Sequence, residues 1–236
     1  MSRFYVQNIT VYGSTMEVLA SRIEFQDGVN IVHGPSNTGK SYILGCLNFM
    51  LGSSVIPFSK AVTKYDVIEL TFRSTDGEKI RYKRMIVEGK GKKKEVASNS
   101  IEVIYSDVSA FPVGEYYADT AKKNAKPFSK LLLYLMGLTE TPQIISTKDR
   151  DTSPFSLRTI FQFFYLDEDN IFKKETTFYP SHGFKKPVAI IMSLLYLFEK
   201  NNYEEDVTND SKKEREQKKQ QKAGVVAYLN EKFEQY

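Results

Sequence analysis

Apolar and polar positions divide the chain into stretches of different period. Residues 3–12 (RFYVQNITVY) are rich in β-branched and aromatic side chains and read as a strand. Residues 21–26 (SRIEFQ) alternate and end at Asp27-Gly28, a turn of the hairpin type. Val29, Ile31 and Val32 then predict a short buried strand that stops at Gly34. From Lys40 to Leu51 the period changes. Ile43, Leu44, Leu47, Met50 and Leu51 recur at helical spacing, and Gly52 ends the run. Alternation returns where Ile68, Leu70 and Phe72 interleave with Glu69 and Thr71, and where Ile80 and Tyr82 interleave with Arg81 and Lys83. Thr75-Asp76-Gly77 joins these two runs, residues 89–94 (GKGKKK) form a basic tip, and 101–105 (IEVIY) read as a further strand. The whole predicts a β-meander with one wet face.

After residue 110 the pattern reads as helical. Residues 127–138 carry Leu131, Leu132, Leu135 and Met136 on one face, with Pro127 at an early helix position and Gly137 near the end. Residues 139–155 are rich in Thr, Ser, Asp and Pro and read as a loop. Residues 155–166 are apolar and leave helix and strand both open. Residues 186–199 read as a largely buried helix. Residues 204–236 hold 15 charges, 8 acidic and 7 basic, with no proline, which predicts a solvated helix. Only at its end does a stripe appear (Val226, Leu229, Phe233, Tyr236), with the spacing of a coiled-coil seam. No internal repeat is present.

Composition narrows the class these elements build. At 236 residues, 41% apolar and 26% charged, the chain has the make-up of a globular protein and not of a disordered one. One cysteine excludes an internal disulfide, and two histidines with it cannot build an ordinary structural zinc site. The first ten residues hold no apolar leader core. The longest apolar-rich run, 187–198, is 12 residues, short of the roughly 20 a membrane span needs. These features read as a soluble cytoplasmic protein with no membrane partner. The net charge of +4 says little about nucleic acid.

One motif carries chemistry. Gly34-Pro35-Ser36-Asn37-Thr38-Gly39-Lys40-Ser41 fits G-x-x-x-x-G-K-[ST] without a gap. A chance match in a chain of this length has a probability of about 0.01. Successive backbone N–H groups of such a loop wrap phosphates, Lys40 reaches the outer phosphates as a positive charge, and the Ser41 hydroxyl binds Mg²⁺. The helix that follows points its positive pole at the same place. Tyr12 and Tyr42 read either as nucleotide contacts or as core or surface packing. The motif follows a predicted strand and opens a predicted helix, as this mechanism requires. The spacing does not separate ATP from GTP. A P-loop kinase or small GTPase would continue with alternating strands and helices. An antiparallel meander follows here instead, which points to an α/β ATPase head with a β-rich lobe.

The segment IEFQDGVNIVHGPSNTGKSYILGCLNFMLGSS resembles the N-terminal half of an SMC-like, SbcC-type ABC ATPase head, an AAA-type P-loop ATPase of DNA repair, chromosome maintenance or anti-phage defence. Phe25, Gly28, Asn30, Ile31, Gly34, Asn37 and Lys40 carry that likeness. TIFQFFYLDEDNIF (159–172) is similar to the Q-loop region of such heads, and the charged C-terminal helix to the root of their coiled-coil arm. The resemblance implies an N-terminal part of a head over residues 1–200, with the P-loop at 34–41, the meander at 66–105 and a Q-loop-like region at 159–172. A charged helix over 201–236 would start the arm. It implies ATP and Mg²⁺ as cofactors and Lys40 as the catalytic cation.

Asp167 and Glu168 stay open at this point. Four apolar residues followed by Asp-Glu are also the pattern of a Walker B strand, whose Asp holds Mg²⁺ and whose Glu activates water. By resemblance Glu168 instead stands where a Q-loop places its Gln, as a Mg²⁺ ligand beside Ser41, with Gln162 as the other Q-loop candidate. A solvated acidic helix face is the third reading. No Ser-Gly-Gly signature loop is present, and no apolar strand ending in Asp-Glu follows residue 168. The resemblance therefore implies a truncated head or one half of a split protein. Its partner would be a C-terminal half or a second head, it would act on DNA, and turnover by this chain alone would be weak or absent. A non-catalytic nucleotide-binding or interaction module is an alternative. A self-contained P-loop phosphotransferase using Asp167 and Glu168 is another.

Residues 79–94 carry eight basic side chains (Lys79, Arg81, Lys83, Arg84, Lys90, Lys92, Lys93, Lys94) against Glu88, which reads either as a DNA-contacting patch or as a solvated hairpin. His33 reads as a strand-end packing or hydrogen-bonding residue, and Cys46 as a small buried apolar one.

Overall fold

The computed structural model describes residues 3–15, 18–35, 39–89, 95–118, 126–147, 151–165, 187–199 and 220. The chain forms two compact units. The first comprises Met1–Thr141 and Ser156–Ser181, the second Pro142–Phe155 and His182–Tyr236.

The first unit is built on a six-stranded sheet. Its strands are β1 (Phe4–Tyr12), β2 (Ser21–Glu24), β3 (Val67–Ser74), β4 (Lys79–Glu88), β5 (Glu95–Ser106) and β6 (Gly114–Tyr117). The order is β2-β1-β3-β4-β5-β6, with every ladder antiparallel. The period-2 pattern fixes the register, because a one-residue slip would turn each apolar set outward. Leu70 thus pairs with Ile9 on one side and Tyr82 on the other, while Lys83 pairs with Glu102. The inner face presents Ile9, Ile68, Leu70, Ile80, Tyr82, Ile101 and Val103, all buried. Against it pack α1 (Lys40–Met50) through Cys46, Phe49 and Met50, and α3 (Phe128–Leu135) through Phe128, Leu131 and Leu132. The outer face is the wet one expected. There Lys83 meets Glu102 at 2.9 Å, and the Tyr12 hydroxyl donates to Glu69 at 2.6 Å. Burial, and then Glu69, push the Tyr12 hydroxyl above the ordinary tyrosine range.

A buried carboxylate ties the β1–β2 loop to the start of β3. Asp66 accepts from the Ser14 amide and the Ser14 hydroxyl, both at 2.6 Å, and faces the ammonium of Lys60, which opens the short helix α2 (Lys60–Thr63), at 3.2 Å. The chains come so close here that a Cβ on Gly13 would lie 2.8 Å from the Lys64 carbonyl oxygen, so only glycine fits. Burial alone would raise the Asp66 pKa. The Ser14 and Lys60 contacts outweigh it and hold the carboxyl below its usual range. A depressed folded-state pKa gives stability that is present above the unfolded value near 4 and lost as pH falls through the folded value. Asp66→Asn is expected to lower stability by about 2 kcal/mol at pH 7 and to narrow its gap from the parent as pH falls below about 4, read as urea midpoints across pH. A constant gap across pH would assign the loss to packing.

The pattern misplaces several elements. Residues 29–33 form no strand. Among the described residues no strand pairs with them. A predicted buried strand thus becomes an exposed segment, since a core strand needs neighbours that these residues do not have. Asp27-Gly28 turns the chain, with Gly28 at φ 99°, but closes no hairpin. Residues 114–117, read as the start of a helical region, are β6, an edge strand. The helix predicted over 127–138 spans Phe128–Leu135, with Pro127 as its cap. Residues 155–166 resolve as helical where described: α4 (Leu157–Ile160) runs into a 3₁₀ turn over Phe161–Phe163.

The second unit holds the hairpin that replaces the predicted loop at 139–155. Its strands β7 (Gln143–Ile145) and β8 (Thr152–Pro154) pair Ile144 with Ser153. Helix α5 (Pro187–Glu199) matches the predicted helix over 186–199. Its Tyr196 ring lies 5.6 Å from that of Phe155. The coiled-coil stripe from Val226 to Tyr236 lies outside the described residues.

Candidate functional site

The two poles of α1 are built differently. At its N-terminus Gly39 is the cap, in the left-handed conformation (φ 86°, ψ 7°) that glycine adopts without strain. Among the described residues no side chain caps this end, and the first turn holds no acidic residue. Helix starts usually gain a Ser, Thr, Asp or Asn cap and an acid nearby, which offset the positive pole. Here the pole is left positive, and Lys40 adds a full charge to it. The Lys40 ammonium folds back over the loop and donates to the carbonyls of Gly34, at 3.0 Å, and of Pro35. Ser41 is exposed. Tyr42 is 54% exposed and edge-on to Phe58, with ring centres 6.2 Å apart. Gly34, Pro35, Gly39, Lys40, Ser41 and Tyr42 are thus brought together. Ser36, Asn37, Thr38, Asp167 and Glu168 lie outside the described residues, and Gln162 falls in the 3₁₀ turn after α4.

The C-terminal pole is clamped. Arg84 of β4 is 2% exposed, and its guanidinium donates to the Phe49 carbonyl at 2.7 Å, the Ser53 carbonyl at 2.6 Å and the Ser98 carbonyl at 2.8 Å. It also lies 4.5 Å from the centre of the Phe49 ring. Tyr82 of the same strand donates to the Met50 carbonyl at 3.1 Å. The last helical carbonyls are therefore paired, with a cation at the negative pole. Burial, opposed by Tyr82 and reinforced by Arg158, lowers the Arg84 guanidinium to about 10. Counting charges along 79–94 places Arg84 in a basic patch, and the structure corrects that. Its parity with Ile80, Tyr82 and Ile86 is the signal that points it inward. Cys46 lies between the two poles, buried as expected, and burial pushes its thiol up to about 12.

The segment that leads into the loop is held at its start and bare beyond it. The Phe25 amide donates to the Gln7 carbonyl at 2.8 Å. The Asn30 side chain accepts from the Gln26 amide at 2.9 Å and donates to the Gln26 carbonyl at 2.8 Å and the Gly28 carbonyl at 3.1 Å, which fixes the turn. Arg3 donates to both oxygens of Asp27, at 2.6 and 2.7 Å. Val29 and Ile31 are then 93% and 83% exposed, and His33 is exposed instead of packed.

A family model described as an AAA domain matches residues 5–236. No curated protein matches the chain. Among the described residues no helix is long and apolar enough to cross a membrane.

Proposed function

Since the chain belongs to the AAA domain family of P-loop ATPases, we propose that Gly34–Ser41 and Tyr42 bind ATP with Mg²⁺ in the N-terminal half of an SMC-like head. Support comes first from the N-terminal pole of α1. A helix start without a side-chain cap, a glycine at the cap, an adjacent lysine and the exposed Ser41 form a donor set suited to a polyphosphate and its cation. The bound triphosphate and Mg²⁺ supply the phosphoryl bond to be cleaved and the charge that polarises it. The protein's part is to hold and neutralise. Lys40 exchanges the Gly34 and Pro35 carbonyls for phosphate oxygens, the amides at the start of α1 donate to them, and the Ser41 hydroxyl donates its lone pair to the metal. Glu168 is the proposed second metal contact.

Half of a head suits the exposed segment before the loop. Val29 and Ile31 carry strand-forming side chains that are exposed. Strands supplied by a C-terminal half would pair with the segment's edges, and helices would cover its faces, as a buried parallel strand requires. That half, with a signature loop and Walker B, would complete hydrolysis, and two heads closing on ATP would move coiled-coil arms over DNA in the cytoplasm. The DNA face would be the outer side of the meander, where Lys79 and Lys83 lie. Arg84 has no part in it.

The test is titration of the purified chain with Mg²⁺-ATP, followed by phosphate release. Saturable binding with negligible turnover is expected. Robust turnover by the chain alone would overturn the half-head and promote Asp167 and Glu168 to a working Walker B. Absence of binding would leave an interaction module.

A further inference from the structure

Helix α4 has four residues, too few to hold itself in water. Its fixings are specific. The Ser156 hydroxyl caps it by accepting from the Arg158 amide at 3.2 Å. The Arg158 side chain then crosses to α1, where its guanidinium donates to the Asn48 side-chain oxygen at 2.7 Å. The same guanidinium lies 4.4 Å from the centre of the Phe161 ring, and Phe161 stacks on Tyr165 at 5.0 Å. Arg158 is therefore fixed to the P-loop helix at one end and to its own segment along the other. Asn48 lies two turns along α1 from Lys40, about 12 Å on a rigid rod. Arg84 and Tyr82 already occupy the last carbonyls of α1, so Arg158 meets the helix through a side chain instead.

We propose that Arg158 is a positioning residue: by bonding Asn48 and stacking on Phe161 it couples residues 157–165 to occupancy of the P-loop. This rests on the assignment of Gly34–Ser41 as a nucleotide site. A charge-assisted bond between two side chains with a stacked guanidinium is directional, so a shift of α1 reaches the segment as a shift and not as loosening.

Amide hydrogen exchange on the full chain tests this, with and without Mg²⁺-ATP, in the parent, Arg158→Met, Arg158→Lys, Asn48→Leu and the Met/Leu double variant. The Thr159, Phe164 and Tyr165 amides, bonded to the Ser156 and Phe161 carbonyls, are the reporters. In the free chain, Arg158→Met and Asn48→Leu should each speed their exchange about tenfold, with the double variant no faster than either, since both cut one link. The sheet should stay as protected as in the parent. Mg²⁺-ATP should slow these amides in the parent and in Arg158→Lys, but not in Arg158→Met, although Arg158→Met still binds within about threefold of the parent affinity. Equal slowing in Arg158→Met would overturn the coupling, and so would faster exchange spread over the sheet. A parent chain that binds no Mg²⁺-ATP would instead overturn the nucleotide site, and the coupling with it.

Discussion

Replacing Lys40 with alanine is expected to weaken binding of Mg²⁺-ATP by about 30-fold or more while barely changing the fold. The two halves of that statement have different causes. Without nucleotide the Lys40 ammonium bonds the Gly34 and Pro35 carbonyls at the protein surface, where water replaces it at little cost. With a triphosphate in place, the same group is the full positive charge beside an uncapped helix pole. Removing one partner of such a charge-assisted contact costs about 2–5 kcal/mol, or roughly 30- to several-thousand-fold in affinity. Titration with a fluorescent ATP analogue, with thermal unfolding of both chains alongside, measures both halves. Unchanged affinity would remove the P-loop from the site altogether.

Arg84→Met should have the largest effect on stability. Methionine fills most of the volume but takes the donor away from the Ser53 and Ser98 carbonyls and leaves the Phe49 carbonyl with the Gly52 amide alone. Together these cost about 4 kcal/mol, a large share of the 5–15 kcal/mol that holds a domain folded. Lysine at this position should recover only part of it, because a point-like ammonium cannot reproduce the planar fork that reaches three acceptors. The neighbouring Lys83 gives the contrast. It lies on the outer face in a half-exposed pair with Glu102, and Lys83→Ala should change stability by no more than about 0.5 kcal/mol. Urea unfolding followed by circular dichroism compares the two. Similar losses at 83 and 84 would contradict the assignment of faces.

The same two residues mark what was legible in the sequence. Strand alternation placed β3, β4 and the turn between them, because the period of a half-buried strand is written in its side chains. That alternation already set Arg84 among inward residues, yet summing the charges from 79 to 94 hid it. The phosphate loop and its helix were legible because their spacing is dictated by backbone chemistry and not by packing. Residues 29–33 were not. A short apolar run records that it suits burial but not which residues would bury it. β6, β7 and β8 have three or four residues each, too few for a period to appear, and neighbouring strands decide them. The clamp at the far end of α1 joins residues 31 to 35 positions apart, and the staple through Arg158 joins residues 110 apart. No local pattern carries such pairings.

Cys46 gives α1 a clock. It is the chain's one thiol, it faces the sheet from the middle of that helix, and burial keeps it protonated at neutral pH. A disulfide reagent needs a thiolate within reach, and the closed structure offers neither the anion nor the path. Modification therefore waits for the helix to lift away, and where reclosing is fast its rate is the fraction of time spent lifted multiplied by the reactivity of a free thiol. The helix that presents the phosphate loop thus records its own excursions in a single sulfur atom, without any added label.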